Sequence, residues 1–129
     1  MILNTAVQAL LDGKNYAVLC TTNPDGSPQS SVIWVLRDGD DLLFSTLRDR
    51  RKERNLRRDP RASVSIFDLA DPEAYAEIRG TVTITEDVGL VVGHALSRKY
   101  EGRDHEPAPE GHVRVVLRLT PTKVTGHVA

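Results

Sequence analysis

Two tight turns within the first fifty residues narrow the folds open to this 129-residue chain. In Asn23-Pro24-Asp25-Gly26 the proline presets φ and the glycine takes a positive φ, and Arg37-Asp38-Gly39-Asp40 is a second turn of the same kind. They separate three strand-like runs, Tyr16–Thr22, Gln29–Arg37 and Asp41–Leu47, too closely spaced for anything but an antiparallel meander. Further strands are expected at Ala62–Asp68, Tyr75–Thr85 and His112–Leu119, with a short last one at Val124–Val128. Ala76, Ile78, Gly80, Val82 and Ile84 share one face of the fifth strand. Three short helices fit between: Thr5–Leu11, capped by Asn4 and ended by Gly13; two turns capped by Asp49 and stopped by Pro60; and one capped by Asp87. The last carries Val88, Val91, Val92, Ala95 and Leu96 at i, i+3, i+4 spacing. Asp71-Pro72 reads as a break and Glu101–Gly111 as an acidic loop. Regular strand–helix alternation and glycine-rich nucleotide motifs are absent, which excludes a Rossmann sheet or a P-loop. About six antiparallel strands with two or three short helices imply one domain over residues 1–129, all-β with flanking helices, closed or nearly closed into a barrel.

Charge is unevenly placed. Arg48–Arg61 holds eight of the seventeen Lys and Arg residues against three acids, a local charge of +5 in a chain of net −1. The segment follows the Asp41–Leu47 strand, so a strand runs into an Arg-rich helix able to hold a phosphate or carboxylate. Only Leu56 in that helix is apolar, so it is expected to bury little. A bland alternative is a solvated helix face in which Glu53 pairs with Arg57. The sequence pI near 6.4 and the lack of an aromatic stacking platform argue against nucleic acid.

The remaining chemistry is sparse. The single cysteine, Cys20, lies in an apolar strand, is expected in the core, and fits a reducing compartment. Met1-Ile2-Leu3-Asn4-Thr5 lacks a basic n-region and no run reaches a membrane span, so a cytoplasmic protein without membrane attachment is expected. His94, His105, His112 and His127 lack ligand spacing, and no metal is expected. Ser45 and Thr46 have no His–Asp companions, so nucleophilic catalysis is not expected. Trp34 and Tyr75 are read as interface residues, with stacking on a ring as the alternative, and His105 as an exposed loop histidine, with a substrate-meeting lid as the alternative.

The order of motifs resembles the pyridoxamine-phosphate-oxidase-like, FMN-binding split-barrel superfamily, and within it the small actinobacterial deazaflavin (coenzyme F-420)-dependent oxidoreductases. The resemblance is carried by Val18–Thr22 with Asp25-Gly26-x-Pro28-Gln29, by Leu43–Thr46, by Arg50–Val64, by Arg79–Val82, and by Pro121-x-x-Val124-x-Gly126. It implies a six- to seven-stranded antiparallel split β-barrel of Greek-key type, homodimeric, with cofactor sites at the interface. It also implies that Gln29, Ser31 and Ile33 line the cofactor ring. Ser45 and Thr46 would lie near the phosphate. Arg50, Lys52, Arg54 and Asn55 would hold the phosphate and an anionic tail. The chain departs from the pyridoxamine phosphate oxidases in length, and pyridoxine chemistry is not expected. FMN carries one phosphate, whereas coenzyme F-420 carries a phosphodiester and a polyglutamate tail; eight cations suit the longer polyanion. The expected activity is hydride transfer between the deazaflavin coenzyme and a small unsaturated or conjugated substrate. The alternatives are an FMN-binding oxidase or flavin reductase of the same fold and a non-catalytic cofactor-binding protein. The proton donor is left unassigned.

Overall fold

The computed structural model describes residues 2–129. Its elements are α1 (Thr5–Asp12), β1 (Ala17–Thr22), β2 (Pro28–Ile33), β3 (Leu36–Asp38), β4 (Asp41–Leu47), α2 (Arg51–Arg58), β5 (Arg61–Asp68), β6 (Asp71–Glu86), α3 (Val91–Glu101) and β7 (Arg114–Thr125). The seven strands form one sheet in the order β2-β1-β5-β6-β7-β4-β3, and every pairing is antiparallel.

The two edge strands are consecutive in the chain. Only Trp34 and Val35 separate β2 from β3, so Ile33 and Leu36 stand at most about 11 Å apart. A sheet whose edges are tied this closely must curl into a barrel with one open seam. The second strand expected over Gln29–Arg37 is thus two strands. At the break the backbone of Val35 finds no ladder, and α3 supplies the partners: Val35 N–H donates to the Tyr100 hydroxyl at 3.2 Å, and Lys99 Nζ donates to Val35 O at 2.8 Å. This accounts for the seam's polar groups without a strand pair.

Alternation along the strands fills the barrel. Ala17 and Leu19 of β1, Val64 and Ile66 of β5, Ala76, Ile78 and Val82 of β6, Leu42 and Phe44 of β4, and Val115, Leu117 and Leu119 of β7 make one core. Leu3 and three residues of α1, Val7, Leu10 and Leu11, complete it. Asn4 caps α1 by accepting Val7 N–H at 2.8 Å. Cys20 alternates with Leu19 and so falls on the outer face, half-buried, rather than in the core.

Other boundaries move for local reasons. Asp71 and Pro72 begin β6 instead of breaking the chain; here proline sits at a strand start, where a missing N–H is tolerated. Val124 and Thr125 belong to β7, which continues through Pro121 because the β6–β7 register shifts between Arg79 and Gly80. A Cβ on Gly80 would lie 2.2 Å from Thr120 O, so only glycine fits that bulge. Asp49 is not the cap of α2. It sits at φ 73 while Arg50 takes the cap position, and Glu53, 1% exposed, reaches back to accept Asp49 N–H at 2.7 Å. Far from burying only Leu56, α2 also buries Glu53 and Asn55. The apolar face of α3 differs too. Gly89 (φ 74) and Leu90 (φ 55) interrupt the chain, so the helical phase restarts at Val91. Val88 and Val91 are then 74% and 69% exposed, and Gly93, Leu96, Ser97 and Tyr100 face inward. Asp87 still serves the helix, accepting Val92 N–H at 3.2 Å and Gly93 N–H at 2.8 Å.

Candidate cofactor cleft and cationic rim

Gln29, Ser31 and Ile33 lie on one face of β2, in register with Thr21, Leu19 and Ala17 of β1. A hydrogen-bonded chain ties this strip to α2. Asn55, fully buried, donates through Nδ2 to Thr21 Oγ1 and Asn23 Oδ1, both at 3.0 Å, and Thr21 donates to Gln29 Oε1 at 2.7 Å. Asn55 Oδ1 and Ser31 Oγ are buried without a partner. Such atoms carry a desolvation cost until a ligand or water meets them.

Ser45 and Thr46 point to opposite faces, as neighbours on a strand must. Thr46 is buried, paired with Val115 inside the barrel. Ser45 opens into a cleft of about 270 Å³ that Ile33 also lines. Tyr16, Val32, Trp34, Gly93, Leu96, His105 and Arg114 complete its lining. Trp34 is held flat against Tyr100, with ring centroids 5.2 Å apart and planes within 4°. A second, larger concavity of about 560 Å³ lies over the outer sheet face between Cys20, Ser63, Arg79 and Thr122; none of the sequence-predicted site residues lines it.

Arg114 lines the smaller cleft, and further cations of the basic segment lie close enough to act on it or on one another. Burial, then the charge of Arg50, lowers the pKa of Lys52 below its usual value. The same two causes lower Arg114, with Asp87 opposing. The charge of Arg50 thus bears on both Lys52 and Arg114. Among the described residues, Arg48, Arg57 and Arg61 pair with Glu86, Glu53 and Asp59. Arg50, Arg51, Lys52, Arg54, Arg58 and Arg114 have no carboxylate among the described residues within ion-pair distance. Arg58 instead donates to Thr22 O. The Glu53–Arg57 pair, at 2.7 Å, therefore accounts for only part of the basic helix.

Sequence reasoning missed Arg114. Its Nη1 donates to Ser45 Oγ at 3.3 Å, while Nε is buried without a partner. The available signal was an arginine alternating with the core residues Val115 and Leu117 in an otherwise apolar strand. His105 is a cleft residue as well as a loop residue, its N–H donating to His94 Nδ1 at 3.0 Å. Tyr75 is exposed and away from the cleft.

Orphan oxygens on β2 and α2 and a row of cations without acidic partners are the features an anionic heterocyclic cofactor would meet, with Gln29, Ser31 and Ile33 toward its ring and Arg50, Lys52 and Arg54 toward its charge. The class so defined is a small split barrel whose basic helix carries cations without acidic partners. Residues 3–128 match the pyridoxamine 5'-phosphate oxidase family, and the chain belongs to it. Among solved structures, it is similar to an F-420 reductase, 33% identical, over 92% of this chain and 94% of that one, with a TM-score of 0.84. Two more distant structures share the fold. One is general stress protein 26 from Bacillus anthracis, 21% identical over 96% and 92% of the two chains, TM-score 0.72. The other is a pyridoxamine 5'-phosphate oxidase-related, FMN-binding protein from Nostoc punctiforme, 20% identical over 86% and 72%, TM-score 0.63. Among the described residues no helix is long and apolar enough to cross a membrane.

Proposed function

We propose that the protein is an oxidoreductase that binds the deazaflavin coenzyme F-420 and acts on a small conjugated substrate as a cytoplasmic homodimer. The observation that carries this reading is the set of cations on α2 that lack acidic partners. Five of the eight basic residues of Arg48–Arg61 lack an acidic partner, and with Arg58 turned to Thr22 O four remain to meet a ligand, more than one phosphate requires. The likeness to an F-420 reductase supports the same choice. Arg50, Lys52 and Arg54 would hold the phosphodiester and tail, near the first turn of α2, where free N–H groups add to the attraction. Gln29, Ser31 and Ile33 would fix the ring, and Trp34 and Leu96 would keep water from the reacting face. The bound coenzyme would supply the hydride equivalent; the chain's part is to bind, orient and exclude water. A second copy would cover the β2 edge and complete the cleft.

The test is a side-by-side titration of the coenzyme and FMN. Tighter binding of the deazaflavin, with a preference that narrows as salt rises, is expected. Equal or tighter FMN binding at physiological salt would overturn the reading in favour of a flavin enzyme. Tight coenzyme binding without turnover of any conjugated acceptor would leave a carrier protein in its place.

A further inference from the structure

The geometry points to a binding site for a flat, conjugated carboxylate at the Arg114 end of the cleft. Its oxygens would seat on the Arg114 guanidinium and its ring against Trp34, both of which line the cleft. Arg114 is half-buried, and burial is the first cause of its lowered pKa. A guanidinium taken out of water needs an anion or a full set of acceptors. It has neither. Nη1 has Ser45 Oγ, Nε has nothing, and the carboxylate that bears on it, Asp87, is occupied by the N–H groups of Val92 and Gly93. Among the described residues Nη2 also has no partner, so the guanidinium keeps donors in reserve for a carboxylate's two oxygens.

The neighbouring surface selects for a flat partner. Trp34 is braced by Tyr100, and Leu96 and Ile33 add apolar walls. A ring gains from the rigid indole face without ordering a flexible side chain. The volume of about 270 Å³ sits at the small end of ligand sites, enough for one substituted ring. His105 also lines the cleft, next to Gly93. This site would be the substrate end of the proposed oxidoreductase, and in that respect it rests on that reading. The binding claim itself does not require the coenzyme.

Trp34 is the chain's one tryptophan, so its emission reports directly on the cleft. Coenzyme-free protein is titrated with cinnamate and, separately, with its neutral isostere cinnamamide, by calorimetry and by Trp34 emission. Cinnamate is expected to bind about tenfold or more tightly than the amide and to change Trp34 emission. Arg114→Gln is expected to remove that preference, and Arg114→Lys to restore only part of it, since lysine lacks the planar two-donor edge. Equal affinity of acid and amide for the wild-type protein overturns the proposal, whether or not the variants fold. So does an unchanged preference in folded Arg114→Gln. A third overturning result is Arg114→Gln weakening coenzyme F-420 binding as strongly as cinnamate binding, with the two ligands excluding one another, because Arg114 would then hold the coenzyme. Failure of coenzyme binding with the cinnamate preference intact would sink the proposed function and leave this site standing.

Discussion

Lys52 is the most informative single side chain on the rim. It stands on the first turn of α2, half-buried, and shares its surroundings with Arg50 rather than with an acid. Lys52→Ala is therefore expected to leave the fold intact, because Leu56, Asn55 and Glu53 anchor the helix. The same change should weaken coenzyme binding by roughly 1.5–3 kcal/mol, about ten- to 150-fold, the worth of one charge-assisted hydrogen bond. Arg58→Ala, on the opposite side of the helix end, should change affinity by less than about threefold. Equal effects of the two substitutions in a binding titration would return the helix to a solvated face. Gly80 makes a sharper case for stability. Any side chain there meets the Thr120 carbonyl, backbone that cannot rotate away. Gly80→Ala should lower stability by roughly 2 kcal/mol or more in urea unfolding; a near-neutral result would mean that the bulge can relax.

At the scale of elements, the seam between β2 and β3 is held by α3 through Lys99 and Tyr100. Lys99 Nζ also donates to Leu11 O, at the carbonyl end of α1, so one ammonium ties α3, α1 and the seam together. Burial lowers its pKa to about 8 from 10.5. Between those values the unfolded chain binds the proton more tightly, so the stability owed to this group rises as pH increases from about 8. Tyr100 acts oppositely above pH 10, since its folded pKa is raised, chiefly by burial, from 10.0. The usable window is therefore about pH 8 to 10. Across it, wild-type stability relative to Lys99→Met should increase by roughly 1 kcal/mol, after discounting for partial solvent exposure. A flat difference in denaturant unfolding would show that the ammonium is not penalised. These contacts explain what the sequence left hidden. β1, β4 and β5 were legible within a residue or so because turns and alternation bound them. The break at Trp34-Val35 was not, since Val32-Ile33-Trp34-Val35-Leu36 is uniformly strand-forming and only tertiary partners 65 residues away interrupt it. The buried face of α3 was misread because Val88 and Val91 obey helical spacing but lie before and after a kink. Arg114 stayed unseen because alternation shows which residues share a face, not that a cleft opens there.

For the whole molecule, the segregation of charge and the open seam bear on assembly. β2 is an edge strand, and its outer face carries Ser30 and Val32, the latter 68% exposed. A free edge with an exposed β-branched residue and no lysine guard invites pairing with another surface. Val32 also borders the cleft, so whatever covers it would border the site as well. A symmetric second copy meets both needs at once, because each subunit would lend its surface to the other's site. Light scattering at micromolar concentration should therefore give a dimer. Val32→Glu should cost an isolated barrel little, since the side chain is already in water. In the dimer it would bury a carboxylate against its symmetry mate, so the variant is expected to run as a monomer with wild-type circular dichroism. If the partner completes the site, coenzyme affinity should fall at least about tenfold in that variant, and wild-type affinity per subunit should weaken on dilution below the dimer dissociation constant. A wild-type monomer that binds coenzyme fully would refute the assembly. A Val32→Glu dimer with unchanged binding would move the interface to another face of the barrel.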